Sequence, residues 1–265
     1  MRMEFGNQFE GRRVVLTGAA GLFGSGLAKV FAAHGARLCL TDRNQHEVEK
    51  VLGEIDAPEG SFAHAAELTE KGSMQALVDA VGEKWGAADI VINNAAIYPS
   101  GFMLDIELED WDRMQDINVR APYFLIRQFA RQMIDKGVKG NFINIGSGAS
   151  RKMRLTAAPY CISKSSLDRL TKAWAQELAQ FGIRVNILEP GFSAGSAVSH
   201  LPEEHVRKVT AAIPLGRAST VDDIGPAALY LASDAAAYVT GTTLTVDGGN
   251  SLGSLEVFQD KKRPL

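Results

Sequence analysis

Two cysteines in 265 residues, Cys39 in an apolar run and Cys161 in a helical one, are too few for a disulfide framework, and no CxxC pair exists to hold a metal. The five histidines (His34, His46, His64, His200 and His205) include no pair at the i, i+4 spacing of a helical metal site, so no metal is expected. Basic excess is missing too. With 28 Lys and Arg against 31 Asp and Glu, the chain lacks the positive balance that phosphate-backbone binding demands, and nucleic acid is not an expected partner. No segment reaches the roughly 18 consecutive apolar residues of a spanning helix, and the opening MRMEFGNQFEGRR has no signal-like apolar stretch. The expectation is a cytoplasmic protein without a membrane partner. No repeat, low-complexity tract or Pro/Gly/Ser linker divides the chain, so residues 1–265 are expected to form one domain.

What is present is an alternation of short β-branched runs and longer helical periods. Strands are predicted at Arg13 to Thr17, Arg37 to Thr41, Ser61 to Ala65, Asp89 to Asn93, Asn141 to Ile145, Ile183 to Leu188 and Thr243 to Val246. Helical stretches fall near 23–34, 45–54, 71–85, 107–135, 157–181 and 221–232, each long enough for a crossover to the next parallel strand. That predicts an α/β fold, a doubly wound seven-stranded parallel sheet with helices on both faces. Residues 1–11, 192–210 and 251–265 read as irregular. The stretch of about 192–212, after the sixth strand, is the expected substrate lid, because open α/β sheets bind ligands at the carboxyl ends of their strands. The tail at 251–265 frays or packs on a neighbouring subunit.

The first predicted strand runs into Gly18-Ala19-Ala20-Gly21-Leu22-Phe23-Gly24, with a helix immediately after. Glycines there let a pyrophosphate approach main-chain N–H groups at a helix N-terminus. Asp42 ends the second strand, where a carboxylate accepts from adenosine ribose hydroxyls and repels a 2′-phosphate; this argues for NAD over NADP, although Arg43 adjoins it. The same Asp could instead cap the following helix.

Tyr160 and Lys164 lie one helical turn apart. A free phenol titrates at about 10, and a neighbouring ammonium favours the phenolate, so Lys164 would make Tyr160 a usable acid/base. The bland alternative is a surface Lys beside a half-buried Tyr. Ser147, thirteen residues earlier at the end of the fifth strand, can donate to a substrate oxygen. Asn118 sits in a long helical run, where it either holds a water linked to Lys164 or bends the helix. Arg151, Lys152 and Arg154 follow Ser147 closely; Arg151 and Arg154 are candidate contacts for an anionic substrate, against a solvated basic loop or a subunit contact.

Together these residues, with Asn93-Asn94-Ala95-Ala96, Pro190-Gly191 and the run PLGRAS…DDI…YLASD…VTGTTLTVDGG from Pro214 to Gly249, closely resemble the short-chain dehydrogenase/reductase family over roughly Gly11 to Gly253. The resemblance points to the branch of ketoacyl reductases and sugar or polyol dehydrogenases. It implies a single-domain Rossmann fold and a catalytic set of Asn118, Ser147, Tyr160 and Lys164. Tyr160 would be the acid/base, Ser147 the orienting donor, Lys164 the ribose ligand and pKa depressor, and Asn118 the anchor of a proton relay. Cofactor contacts are implied for Gly18, Gly21, Leu22, Phe23, Gly24, Asp42, Arg43, Glu67, Leu68, Asn94, Ala95, Ala96, Tyr160, Lys164, Pro190, Gly191 and Ser193. The implied activity is NAD-dependent hydride exchange with a secondary alcohol or ketone of sugar, polyol or hydroxy-acid type, in a homotetramer or homodimer. Three alternatives stand beside it: 3-oxoacyl-(acyl carrier protein) reductase-like chemistry with NADPH, an idle dinucleotide sensor, and an epimerase. Against the carrier-protein substrate, Gln176 stands where those reductases commonly have Arg. The chain departs from the family in several places. It reads TGxxGxxG where TGxxxGxG is usual, has Glu67-Leu68 for an Asp-led pair, ends NNAA for NNAG, and puts Gly195 where a Thr is usual, which passes the carboxamide contact to Ser193, Ser196 or backbone.

Overall fold

The computed structural model describes residues 5–194 and 202–253. Seven strands form: β1 (Arg13–Thr17), β2 (Arg37–Thr41), β3 (Phe62–Ala63), β4 (Ile90–Asn93), β5 (Asn141–Ile145), β6 (Arg184–Pro190) and β7 (Thr243–Val246). All pair in parallel, in the order β3-β2-β1-β4-β5-β6-β7. Eight α-helices cross between them: α1 (Leu22–Ala33), α2 (Gln45–Gly53), α3 (Lys71–Trp85), α4 (Leu108–Gln115), α5 (Ala121–Asp135), α6 (Ala158–Leu178), α7 (Glu203–Ala211) and α8 (Val221–Ala232). This is the doubly wound, Rossmann-type sheet that the sequence predicts.

Because successive strand residues point to opposite faces, each strand feeds two cores. Val14, Leu16, Leu38, Leu40, Ile143 and Ile145 pack against Leu27 and Phe31 of α1 and Ile224 and Leu229 of α8. Their neighbours Val15, Cys39, Val91, Phe142 and Val185 pack against Leu77 of α3, Phe129 and Met133 of α5 and Leu178 of α6.

Four expectations need correction. The third strand is only two residues long, because side chains take its flanking bonds: Ser61 Oγ accepts from the Leu38 N–H at 3.0 Å, and Gln45 Oε1 accepts from the Ala65 N–H at 2.7 Å. The single helix expected over 107–135 is interrupted by a π turn at Asp116–Arg120, closed by the Ala121 N–H donating to Asp116 O. Pro122 explains part of the break, since it has no N–H to give the carbonyl of Asn118 four residues back. The 192–210 stretch is not wholly irregular, for α7 occupies Glu203–Ala211, while 195–201, with Gly195 and Ser196, lies outside the described residues, as does the tail beyond 253. Nor are the described residues of 1–11 loose: Phe5 and Phe9 are buried, and the Phe9 ring meets Phe31 edge-on with centroids 5.6 Å apart.

Candidate active site

β1 has β2 on one side and β4 on the other, so the crossovers leaving β1 and β4 diverge and a crevice opens at their carboxyl ends. A cleft of about 530 Å³ lies there, of the size that holds a small ligand or cofactor.

Its floor is the turn after β1. Gly18 has φ +65°, and a Cβ on it would lie 2.7 Å from Ala95 Cα; a Cβ on Gly24 would lie 2.0 Å from the Gly18 carbonyl oxygen. Only glycine permits this close folding of the turn onto the β4 turn. Asn94 stitches the two together, its Nδ2 donating to the carbonyls of Thr17 and Gly18 at 3.0 Å each, while Thr17 Oγ1 accepts from the N–H groups of Asn94 and Ala95. At the start of α1, Gly21 offers no side-chain cap and the first turn carries no acid. Those N–H groups and the helix dipole suit a phosphate, so the turn fits a dinucleotide.

Beyond the turn, Asp42 Oδ1 accepts from the Arg43 N–H at 2.8 Å and Oδ2 from the Ala20 N–H at 3.3 Å. Asp42 does not cap α2; Asn44 does, accepting from the N–H groups of His46 and Glu47. Next to Asp42 on the cleft wall stand Arg43, Glu67, Leu68 and Arg113 of α4. Burial pushes the Glu67 carboxyl up, but hydrogen bonds from the Thr69 N–H and hydroxyl, with the charges of Arg113 and Arg43, bring it below its ordinary value. The sequence reading missed Arg113 and Ile117; only their shared face across the α4 and π-turn junction could have pointed to them.

The cleft also takes in Gly21, Leu22, Phe23, Ala96, Pro190, Tyr160 and Lys164, joining the dinucleotide turn to the expected chemistry. Three predicted cofactor contacts are not on its wall. Gly24 is buried in the turn's packing, Gly191 packs on Asp247, with a would-be Cβ 2.7 Å from Asp247 Cα, and among the described residues Ser193 Oγ reaches the Ala194 carbonyl alone, at 3.5 Å.

Lys164 is no surface lysine. It is 3% exposed, its Nζ donating to the Ile145 carbonyl at 2.8 Å and lying 5.7 Å from the Tyr160 ring centroid. Burial brings its ammonium down to about 8. Lys164 is not among the main influences on the Tyr160 phenol. Burial raises the Tyr160 phenol above its ordinary value, Ser147's hydrogen bond and Arg154's charge oppose that rise, and Tyr98 adds to it.

Tyr98, which the sequence reading also missed, meets the Tyr160 ring edge-on, with centroids 4.6 Å apart. Asn118 uses its side chain on protein partners: Oδ1 accepts from the Ile97 N–H, and Nδ2 donates to the Ile97 carbonyl and to Ser163 Oγ. The helix does deform there, as one reading had it. Arg151 is paired with Glu189 at 2.7 Å. Arg154 is exposed, has no ion-pair partner among the described residues, and acts electrostatically on both Tyr98 and Tyr160.

The chain is similar to known proteins over nearly its whole length. A family model described as enoyl-(acyl carrier protein) reductase matches residues 18–251. Sorbitol dehydrogenase of Cereibacter sphaeroides is 32% identical over 254 residues, which span 92% of this chain and 98% of that protein. Among solved structures, a short-chain type dehydrogenase/reductase from Mycobacterium marinum is 31% identical with a TM-score of 0.86, covering 92% of this chain and 97% of that one. A gluconate 5-dehydrogenase from Burkholderia cenocepacia J2315, in complex with NADP and tartrate, is 30% identical with a TM-score of 0.85, covering 93% and 98%. With a family model matched over residues 18–251 and relatives of 30% identity or more over about nine-tenths of its length, the chain belongs to the short-chain dehydrogenase/reductase family.

Proposed function

We propose that residues 1–265 form one cytoplasmic oxidoreductase domain that uses NAD to exchange a hydride with a secondary alcohol or ketone of sugar, polyol or hydroxy-acid type. One observation carries this reading: the cleft that begins at the glycine turn ends at Tyr160 and Lys164, with Ser147 near enough to Tyr160 to oppose the rise of its phenol. When bound, nicotinamide supplies or accepts the hydride at the substrate carbon. Tyr160 gives its phenolic proton to the carbonyl oxygen in reduction and takes one from the alcohol in oxidation. Ser147 donates to the same oxygen and holds it for attack. The raised phenol favours proton donation at neutral pH and makes oxidation the more alkaline direction.

Lys164 holds the cofactor ribose and links Tyr160 to Ile145 and the π turn. Asn118 serves that relay through its backbone carbonyl, which Pro122 leaves without the usual helical donor. The carboxylate of Asp42, held by two backbone amides, receives the adenosine ribose hydroxyls and supports NAD. Arg154 supplies the positive charge for an anionic substrate, in keeping with its electrostatic reach to Tyr98 and Tyr160. The groove bordered by Tyr123 of α5 and Leu170 of α6 supports pairing of these helices in a homodimer or homotetramer.

A second reading, NADPH-dependent reduction of a ketoacyl thioester, is supported by Arg43 and Arg113 beside Glu67 at the adenosine end and by the acyl-carrier description of the matching family. Incubation with deuterated NADH or NADPH and a panel of ketoses, keto acids and acetoacetyl thioester separates the readings. Deuterium on the carbinol carbon of a sugar or keto acid from NADH supports the first, transfer to the thioester from NADPH the second. Internal return indicates an epimerase, and no transfer indicates a sensor. Tyr160→Phe is expected to lower turnover by about 10²–10⁴-fold with NADH affinity unchanged; full turnover in that variant sinks the proposal.

A further inference from the structure

Glu189, near the end of β6, is a carboxylate that the proposed chemistry leaves unused. Its side chain is 1% exposed, a degree of burial that acids reach only with partners. It has three. Oε1 accepts from Ser150 Oγ at 2.8 Å, and Oε2 meets Arg151 Nη1 at 2.7 Å and accepts from Thr245 Oγ1 of β7 at 3.1 Å. Arg151 Nη1 also donates to Thr245 Oγ1 at 3.1 Å, which closes the cluster.

Ser150 and Arg151 belong to a 3₁₀ turn, Gly148–Arg151, whose N-cap is Ser147. Within the turn, Ser147 Oγ accepts from the Ala149 N–H at 3.2 Å, and the Ser150 N–H donates to the Ser147 carbonyl at 2.9 Å. So short a 3₁₀ turn has poor internal bonds and takes its geometry from what it is tied to. Ser165 of α6 ties the Ser150 carbonyl at 2.7 Å, and Glu189 ties the Ser150 hydroxyl and Arg151. Glu189 also packs directly under the residue before Ser147, since a Cβ on Gly146 would lie 3.0 Å from Glu189 Cγ.

We infer that Glu189 is a positioning residue for the proposed reaction, clamping the Ser147 turn to β6 and β7 through Ser150 and Arg151, and that Arg151 consequently serves the turn instead of the substrate. The inference rests on the reading of Ser147 and Tyr160 as the catalytic pair. A misplaced hydroxyl donor lowers catalysis without touching the cofactor's own contacts, whereas a general loss of structure would affect both.

The test follows the Tyr160 phenol by ultraviolet difference titration, each protein measured against its own Tyr160→Phe counterpart, with NADH affinity measured by fluorescence. Ser147→Ala is expected to move the Tyr160 titration up by about one pH unit, because a hydrogen bond to the phenolate is lost. Glu189→Ala is expected to reproduce that shift, with NADH affinity within about twofold, and the Glu189→Ala/Ser147→Ala double variant should shift no further, as expected for groups acting as a unit. Glu189→Gln, whose single amide oxygen can still accept from Ser150 while its NH2 cannot accept from Thr245 or Arg151, should recover only part of the wild-type titration. Should Glu189→Ala fail to fold, Ser150→Ala removes one tie alone and should give a smaller shift in the same direction. A wild-type titration in Glu189→Ala or Ser150→Ala, or a further shift in the double variant, overturns the inference while the catalytic pair stands. No shift in Ser147→Ala overturns the pair itself, and the inference with it.

Discussion

Lys164 carries a cost that its site explains. An ammonium buried among the helix and strand residues around Ile145 titrates at about 8 in the folded chain and near its ordinary 10.5 when unfolded. Between those values the unfolded chain holds a proton that the folded chain has lost, so this group makes stability rise with pH across that window. At pH 7 the charge is buried at a loss. Lys164→Met is therefore expected to stabilise the protein at pH 7 by about 2 kcal/mol while abolishing turnover, and the gap to wild type should close by pH 10. Urea unfolding of both proteins at several pH values checks this; a pH-independent gap contradicts it. The identities of Tyr160, Lys164 and Ser147 were legible in the sequence because spacing within one helix and a strand end brings them near one another. The state of Lys164 was not, since its burial depends on the packing of α6 over β5.

At the level of elements, the glycine turn and the joint between β1 and β4 are the most tightly constrained. Gly24→Ala would drive a Cβ to 2.0 Å from the Gly18 carbonyl, a collision with backbone that no rotamer relieves. Weakening of NADH binding by at least about tenfold and destabilisation by about 3 kcal/mol are expected, read by fluorescence titration and thermal melting. At the opposite end of the same strands, Asp89 accepts from the Arg13 backbone N–H at 2.9 Å and from its Nε and Nη2 at 2.7 Å each, while Arg13 Nη1 donates to the Trp85 carbonyl. Burial pushes the Asp89 carboxyl up, but the Arg13 hydrogen bonds and charge bring it below its ordinary value. A depressed carboxyl contributes stability above its unfolded value of about 4 and loses it as pH falls through the lower, folded value. Asp89→Ala should cost about 3 kcal/mol at pH 7 and flatten the loss of stability below pH ~4, measured by urea unfolding. Most of the strand and helix bounds could be read from periodicity. The π turn could not, because its cause is a contact between Asn118 and Ile97, twenty-one residues apart in sequence, acting with Pro122.

On the scale of the whole molecule, the two cores divide the chain in an order that sequence neighbours do not follow. Phe9, from a stretch expected to be irregular, is 1% exposed and seals the α1 face against Phe31 and His34. Phe9→Ala should cost about 3–5 kcal/mol in thermal or urea unfolding and leave NADH affinity unchanged, since the cleft lies at the other end of the strands. No helix among the described residues is long and apolar enough to cross a membrane. By itself the sequence determined the alternation of strands and helices, the glycine turn and the residues of the Tyr160 helix, because local periodicity and spacing along a single element fix these without reference to distant chain. Only the tertiary structure decided that Arg151 answers to Glu189, that Arg113 borders the cleft, that Tyr98 packs on Tyr160, and that Lys164 is buried. Each of these depends on which elements the sheet order brings together, and on the dielectric that their packing creates around a charge.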